Sequence, residues 1–278
     1  MGASSTQAGL LMAVYSLMQF LFAPFWGRLS DRIGRRRVLL LSLGLESVSY
    51  LIFAFARNLE MLFIARALTG FFGASISTAN AAMADVTAKE DRSRGMALIG
   101  AAFGLGFILG PAIGGLLAVW SEQISQEPFF KTTFVSLFIS AMFLFTFVFA
   151  YFKLPETLPV EKRNITRKKR LLALWEKMQI PVARELIIAF FLLSFAMSSM
   201  EATLVYFMAE RFSWTLKETS FGFAYIGLIL ILTQGFLVRK LLPKLGERRI
   251  LLAAIPIFIL GMAIIAPAHS IPLMAVSM

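Results

Sequence analysis

Three charged side chains interrupt long apolar stretches of the sequence, namely Glu46, Arg66 and Glu201. A carboxylate near the centre of a bilayer costs on the order of 2.5–3.5 kcal/mol on insertion scales, so an acid at such a position is a functional candidate. Glu201 follows Ser194 and Ser198 at helical spacing, which places the three side chains on one face. The pattern predicts that Glu201 binds and releases a proton. Hydrogen bonding within a packed interface is the alternative.

Residues for covalent or metal chemistry are scarce. The chain has no Cys, which excludes disulfides, thiolate metal sites and a cysteine nucleophile. The one His, His269, lies in a predicted external loop. The chain therefore has few side chains that could form a catalytic or metal-binding site. We therefore expect no enzyme activity, no cofactor and no metal.

The composition restricts the environment of the chain. Hydrophobic residues make up 58% and charged residues 15%, against about 45–50% and about 25% in soluble domains. A soluble fold has nowhere to bury so much apolar surface. The net charge of +11 could indicate a nucleic-acid partner, but the positions of the charges decide against it.

Apolar runs of the length that crosses a bilayer recur along the chain. They predict an all-α membrane protein with eight complete transmembrane helices and a part of a ninth, which begins at Ile271. The complete spans are residues 10–26, 38–56, 61–84, 96–120, 129–152, 186–208, 221–238 and 250–268.

Basic residues predict the orientation of these spans. Alternate loops, at residues 28–37, 89–94, 153–184 and 239–249, hold most of the 27 Lys and Arg residues. Cytoplasmic loops carry such an excess, so these loops are expected in the cytoplasm and the N-terminus outside. The net positive charge is then a topology signal, and the expected surroundings are a lipid bilayer, with no nucleic acid.

One long polar connection, residues 154–184, divides the chain into a predicted N-terminal bundle, 1–153, and a C-terminal bundle, 185–278. Its basic amphipathic stretch, 168–178, suits the inner membrane surface, although a solvated helical linker fits equally well. An internal repeat supports the division, because residues 26–41 resemble residues 238–253, with Gly34 matching Gly246. Such halves are typical of parallel-repeat transporters.

The sequence GRLSDRIGRRR, residues 27–37, joins the first two predicted spans. Glycines permit a tight turn there, and an aspartate among arginines can accept charge-assisted hydrogen bonds. This segment resembles the signature loop of the major facilitator superfamily, where it acts as a cytoplasmic latch, and we name it the latch segment. The resemblance implies that Asp31 contacts a neighbouring helix end in the outward-open state. A simple topology anchor is the alternative. The implied latch residues are Gly27, Asp31, Arg32, Gly34, Arg35 and Arg36.

Two further segments are similar to motifs of the same superfamily. Residues 66–74 resemble its fourth-helix motif. Helical spacing places small and polar side chains of this region in one stripe, which we expect to face another helix or a cavity. The stripe contains Arg66, Gly70, Gly73, Ser77 and Asn80. Residues 104–115 resemble the fifth-helix motif of antiporters, in which glycines allow close packing and a proline bends the helix. This motif implies efflux, and its residues are Gly106, Gly110, Pro111, Gly114 and Gly115.

Over nearly its whole length the chain resembles bacterial tetracycline and quinolone multidrug efflux pumps. The resemblance implies the two-bundle major facilitator superfamily fold with family helices 2 to 10 present, and hence a sequence truncated at both ends. It also places Glu201 where those pumps carry a seventh-helix glutamate. Glu201 and Arg66 are therefore the predicted proton-coupling residues, whereas Glu46 is expected to be structural or to face a neighbour.

These features together predict a monomeric, proton-coupled antiporter of a bacterial cell membrane that exports lipophilic or cationic small molecules by alternating access. The open alternatives are transport of a metabolite, sugar or siderophore, and an inactive fragment of such a transporter. Candidate residues for the substrate cavity are aromatic or polar at helical spacing, although such residues more often pack or face lipid. They are Tyr15, Gln19, Asn80, Phe103, Phe107 and Ser198.

Overall fold

The computed structural model describes residues 5–88, 91–125, 127–163, 179–233, 237 and 239–277. Every secondary-structure element in these ranges is helical, as the sequence predicts. The α-helices are α1 (Ser5–Ile33), α2 (Arg35–Ala54), α3 (Leu59–Gly73), α4 (Ile76–Val86), α5 (Arg92–Ile124), α6 (Pro128–Lys153), α7 (Pro181–Phe212), α8 (Leu216–Leu232), α9 (Arg239–Ile265) and α10 (Ile271–Ser277), with a short 3-10 helix at Val160–Lys162.

Each predicted span overlaps at least one of these helices, because an apolar segment in a bilayer must satisfy its backbone hydrogen bonds internally. Among the described residues, four helical segments are long and apolar enough to cross a membrane, and a fifth qualifies if the two parts of α7 form one span. The four are Thr6–Ile33, Arg35–Ala54, Leu59–Val86 and Thr133–Lys153. The predicted total of eight complete spans stays a prediction.

Two local features differ from the sequence-based expectation. The latch segment is helical except at Gly34, because α1 continues through Gly27 to Ile33 and α2 begins at Arg35. The predicted span 61–84 is two helices, since a turn at Ala74 and Ser75 separates α3 from α4. The predicted surface stretch 168–178 lies outside the described residues.

The helices pack as two compact units. The first contains Met1–Met96 and Ser121–Ala202, and the second contains Ala97–Trp120 and Thr203–Met278. The predicted bundle boundaries at 153 and 185 stay a prediction. In the second unit, Leu204 and Met208 of α7 pack with Ala268 and with Met274 of α10.

Small polar residues join α2 to α6 in the first unit. The hydroxyl of Ser47 donates to the carbonyl of Ser140 at 2.9 Å, and the hydroxyl of Ser140 donates to the carbonyl of Ser47 at 2.8 Å. One turn away, the rings of Tyr50 and Phe143 stack with centroids 5.4 Å apart. Reciprocal hydroxyl bonds of this kind let two membrane helices approach closely.

Large apolar side chains cover the outside of the helices. Phe20 is 78% exposed, and Phe152 and Phe190 are each 75% exposed. A water-soluble protein rarely leaves so many such residues outside, whereas lipid is a favourable neighbour for them. The fold is therefore that of an integral membrane protein.

Candidate functional site

Gly34 creates the break between α1 and α2. Its φ of 103° and ψ of 154° lie in a region that residues with a Cβ rarely occupy. A Cβ at Gly34 would also collide with the carboxylate of Glu156. The matching residue of the internal repeat, Gly246, has a φ of 75° and interrupts α9 in the same way. Both glycines are thus required by backbone conformation.

Arg35, the first residue of α2, links three acceptors beside this break. Its guanidinium lies 2.7 Å from Asp31 and 3.0 Å from Asp85, measured between nitrogen and oxygen. It also donates to the hydroxyl of Ser30 at 2.5 Å. The side chain of Arg35 is only 3% exposed, whereas the two acids are about one quarter exposed. A buried guanidinium is retained where its hydrogen bonds are satisfied in this way.

Glu156, which follows α6, caps the N-terminus of α2. Its Oε1 accepts the backbone N–H of Arg35 at 2.9 Å and that of Leu158 at 3.1 Å, and its Oε2 lies 3.4 Å from the guanidinium of Arg163. A carboxylate at this position interacts favourably with the partial positive charge of a helix N-terminus. Residues 154–163 are therefore held against the start of α2.

Arg36 makes the reciprocal contact at the C-terminal end of α6. Its guanidinium donates to the carbonyl of Leu154 at 2.8 Å and to that of Tyr151 at 2.6 Å, and its Cζ lies 5.5 Å from the centre of the Tyr151 ring. The last carbonyls of a helix lack intrahelical partners, and a cation there is favourable. Adjacent arginines thus bind α1, α4 and α6.

The structure brings together four of the six predicted latch residues: Asp31, Gly34, Arg35 and Arg36. The other two do not join this cluster, because Gly27 lies within α1 and Arg32 is exposed. Among the described contacts, Arg35 reaches α4 while Asp31 pairs with Arg35. The implied contact of Asp31 with a neighbouring helix end in the outward-open state stays a prediction.

Sequence reasoning missed two partners of the latch segment, Asp85 and Glu156, and also Arg163, which pairs with Glu156. The available signal was their location, because each is a charged residue at or beyond the end of a predicted span. Acids on the side of the membrane that carries the basic loops are natural partners for those loops. Nothing in the linear spacing says which acid meets which arginine.

The small stripe of α3 and α4 lies against α1. A Cβ at Gly70 would collide with the carbonyl of Tyr15, so glycine permits this close approach. After the turn, the hydroxyl of Ser77 donates to the carbonyl of Ala23 at 3.2 Å. Asn80, on α4, is half-buried.

Arg66, the second predicted proton-coupling residue, lies against aromatic rings. Its Cζ is 6.0 Å from the centre of the Tyr15 ring and 5.1 Å from that of Phe53. A guanidinium in this position is attracted by the negative faces of the rings. Gln19, one turn after Tyr15, donates its amide N–H to the Tyr15 hydroxyl at 3.3 Å.

The remaining candidates lie on α5 and α7. Phe103, Ser198 and Glu201 are exposed, and the side chains of Phe107 and Pro111 lie outside those that the structure describes.

The glycines of the antiporter-like segment, residues 104–115, differ in how closely other residues approach them. Among the described residues, no neighbouring atom lies within 4 Å of a Cβ built at Gly106, Gly110 or Gly114, whereas one at Gly115 would collide with Ser220. Close packing is thus present at Gly115.

Several apolar helices of membrane-crossing length define a polytopic α-helical membrane protein. The sequence profile described as Major Facilitator Superfamily matches residues 1–278. The chain belongs to this superfamily, and the predicted resemblance is confirmed.

Several curated relatives are similar to most of the chain. Tetracycline resistance protein, class B, of Escherichia coli is 34% identical and covers 86% of it. Major facilitator superfamily domain-containing protein 10 of Mus musculus is 33% identical and covers 95%. Multidrug resistance protein 2 of Bacillus subtilis is 31% identical and covers 89%. The chain spans 58%, 59% and 61% of the lengths of these three proteins.

A solved structure agrees with the fold. The crystal structure of the human organic anion transporter MFSD10 (TETRAN) is 30% identical, covers 97% of the chain, and superposes with a TM-score of 0.74, while the chain spans 65% of that structure. The family and this neighbour are transporters, which confirms the expectation that the chain is not an enzyme.

Proposed function

We propose that this protein exports lipophilic or cationic small molecules in exchange for protons, by alternating access across a cell membrane with its basic loops in the cytoplasm. Relatives named for tetracycline resistance and multidrug resistance support export of drug-like compounds. The antiporter-like segment that contains Gly110 and Gly115 supports the same direction of transport.

The network around Arg35 is the observation that carries this proposal. A single buried guanidinium joins the α1–α2 break, through Asp31, to the last turn of α4, through Asp85. The carboxylate of Glu156 ties the segment after α6 to the same break. A transporter that alternates between two states needs contacts at one end of its helices that form in one state and separate in the other. Ion pairs with partly exposed acids suit this role, since water can solvate the acids once they part.

Glu201 and Arg66 are the residues that we assign to proton coupling. An acid in an apolar span is retained where it serves transport, and moving one charge across about 100 mV supplies about 2.3 kcal/mol. That free energy suffices for roughly a fiftyfold concentration gradient. In this mechanism a proton that enters from outside loads the carboxyl, and its release to the cytoplasm resets the protein for export.

The test is proton-driven uptake of tetracycline and of a cationic dye into everted vesicles from cells that express the complete reading frame containing this sequence. Asp31→Asn should insert normally but lose most of the uptake, because one ion pair of the latch segment is lost. Arg28→Gln, an exposed change on the same helix, is the matched control. Normal uptake by a well-expressed Asp31→Asn variant would contradict the latch role.

A second candidate is transport of organic anions. The 30% identical human structure is that of an organic anion transporter, and the intramembrane guanidinium of Arg66 could pair with an anionic substrate. The same vesicles decide between the two candidates when they are offered a fluorescent organic anion. This candidate would be favoured if the vesicles take up the anion but neither tetracycline nor the dye, and if Arg66→Ala abolishes uptake of the anion.

A further inference from the structure

The turn between α3 and α4 interrupts the helical backbone hydrogen bonds inside a membrane span. The N–H of Ser75 bonds to the carbonyl of Phe72 at 3.1 Å instead of continuing the helix ladder to Phe71. The freed carbonyl of Phe71 accepts the indole N–H of Trp26 at 2.6 Å, and the carbonyl of Gly73 accepts the amide N–H of Gln19 at 3.3 Å. Irregular backbone at membrane depth is tolerated only where protein or water satisfies it. Side chains of α1 therefore make a polar site at this turn.

The carboxyl group of Glu46, from α2, lies at the same turn. Glu46 is only 8% exposed. A Cβ built at Gly73 would lie 2.9 Å from Oε1 of Glu46 and 3.4 Å from both the amide nitrogen of Gln19 and the hydroxyl of Tyr15. Polar groups of two helices thus converge on Gly73, and its lack of a side chain makes room for them.

No cation pairs directly with this carboxyl group within the described part of the chain, in contrast to Asp31, Asp85 and Glu156, which pair with arginines. Arg66 interacts with the cluster from α3, but its guanidinium lies over the Tyr15 and Phe53 rings.

The other titratable groups near Glu46 are tyrosines. Tyr15 faces it from α1, and Tyr50 lies one turn further along α2. The described acidic and basic side chains of α4 and α6 are Asp85 and Lys153, which lie in the last turns of their helices. An ionised carboxylate buried without a paired cation is costly, and binding a proton removes that cost.

We propose that Glu46 is a proton-binding site, enclosed by Tyr15, Gln19 and Gly73 at the α3–α4 turn, in addition to the site proposed at Glu201. A proton from water converts the carboxylate to the neutral acid, and its return to water restores the charge. The neutral acid fits the close packing of α1, α2 and α3, in which Glu46 is buried. The charged form favours arrangements in which water or Arg66 reaches the carboxylate, so proton binding biases the packing of these helices.

The test is pH-difference infrared spectroscopy of the purified chain in lipid nanodiscs, where the carbonyl stretch of a neutral carboxylic acid is separate from the bands of carboxylates. The wild-type chain should show a carboxylic-acid signal that is lost as pH rises. Glu46→Gln should remove one such signal, whereas Glu201→Gln, the matched change of the other intramembrane acid, should leave that signal in place. Circular dichroism verifies that each variant keeps its helices.

Glu46→Asp provides a second measurement that keeps the ionisable group, and it should move the frequency and the pH midpoint of the same signal. A signal that is unchanged in both Glu46→Gln and Glu46→Asp would overturn the assignment. The measurement needs no transported compound, so a failure of proton-driven export in vesicles would refute the proposed function and leave the result for Glu46 standing.

Discussion

Replacing Arg35 by methionine tests the contact network that supports the proposed function. Methionine keeps an unbranched chain of similar length but removes the guanidinium that lies between Asp31 and Asp85. The two carboxylates then face the α1–α2 break without their shared cation, and the hydroxyl of Ser30 loses its donor. We expect the free energy of unfolding to fall.

The exposed fractions of Arg35, Asp31 and Asp85 determine how far the free energy of unfolding should fall. Breaking a buried ion pair by removing one partner costs about 3–5 kcal/mol, whereas an exposed pair contributes about 0–1 kcal/mol. The side chain of Arg35 is 3% exposed, but the acids are 25% and 26% exposed, so water can solvate them after the change. Arg35→Met should therefore cost about 3 kcal/mol, at the lower end of the buried range. Asp85→Asn should cost about 1 kcal/mol, because Arg35 keeps Asp31.

The assay is unfolding of the purified chain in mixed micelles, followed by circular dichroism as the denaturing detergent increases. Arg28→Met is the control, because Arg28 is an exposed arginine of the neighbouring helix α1 and its replacement should change stability by less than about 0.5 kcal/mol. If Arg35→Met is as stable as Arg28→Met, the network contributes nothing to the fold and the reasoning from burial is wrong.

Three further outcomes follow from single contacts. Gly34→Ala should lower the free energy of unfolding by about 1–3 kcal/mol from backbone strain alone. The control Gly9→Ala, at a helical position with open space around it, should be neutral or stabilising. Equal effects of the two changes in the unfolding assay would contradict the strain at Gly34. Trp26→Phe leaves the Phe71 carbonyl without its donor and should cost about 1–3 kcal/mol; an unchanged midpoint would show that the carbonyl finds another donor. Glu201→Gln should still bind substrate but lose accumulation in everted vesicles, and normal pumping with unchanged pH dependence would assign coupling elsewhere.

Much of the fold could be predicted from the sequence, because in a bilayer the length and polarity of a segment nearly dictate its structure. Each predicted span overlaps a described helix, and the repeat that pairs Gly34 with Gly246 reappears as two positive φ angles. The break at Ala74 and Ser75 could not be predicted, since neither residue is a strong helix breaker. Its stability depends on Trp26 and Gln19, which lie far away in the sequence.

By itself, the sequence determined the membrane environment, the all-helical class, the superfamily and the position of the latch segment. Local composition, periodicity and short motifs carry this information. Only the tertiary structure decided which charges meet, because partner choice depends on how helices pack. Asp85 lies 50 residues from Arg35 and Glu156 lies 121 residues away, yet both contact it. In the same way, the neighbours of Glu46 along the chain do not reveal its surroundings, and packing of α1 and α3 against α2 places its carboxyl group near the polar groups of Tyr15 and Gln19.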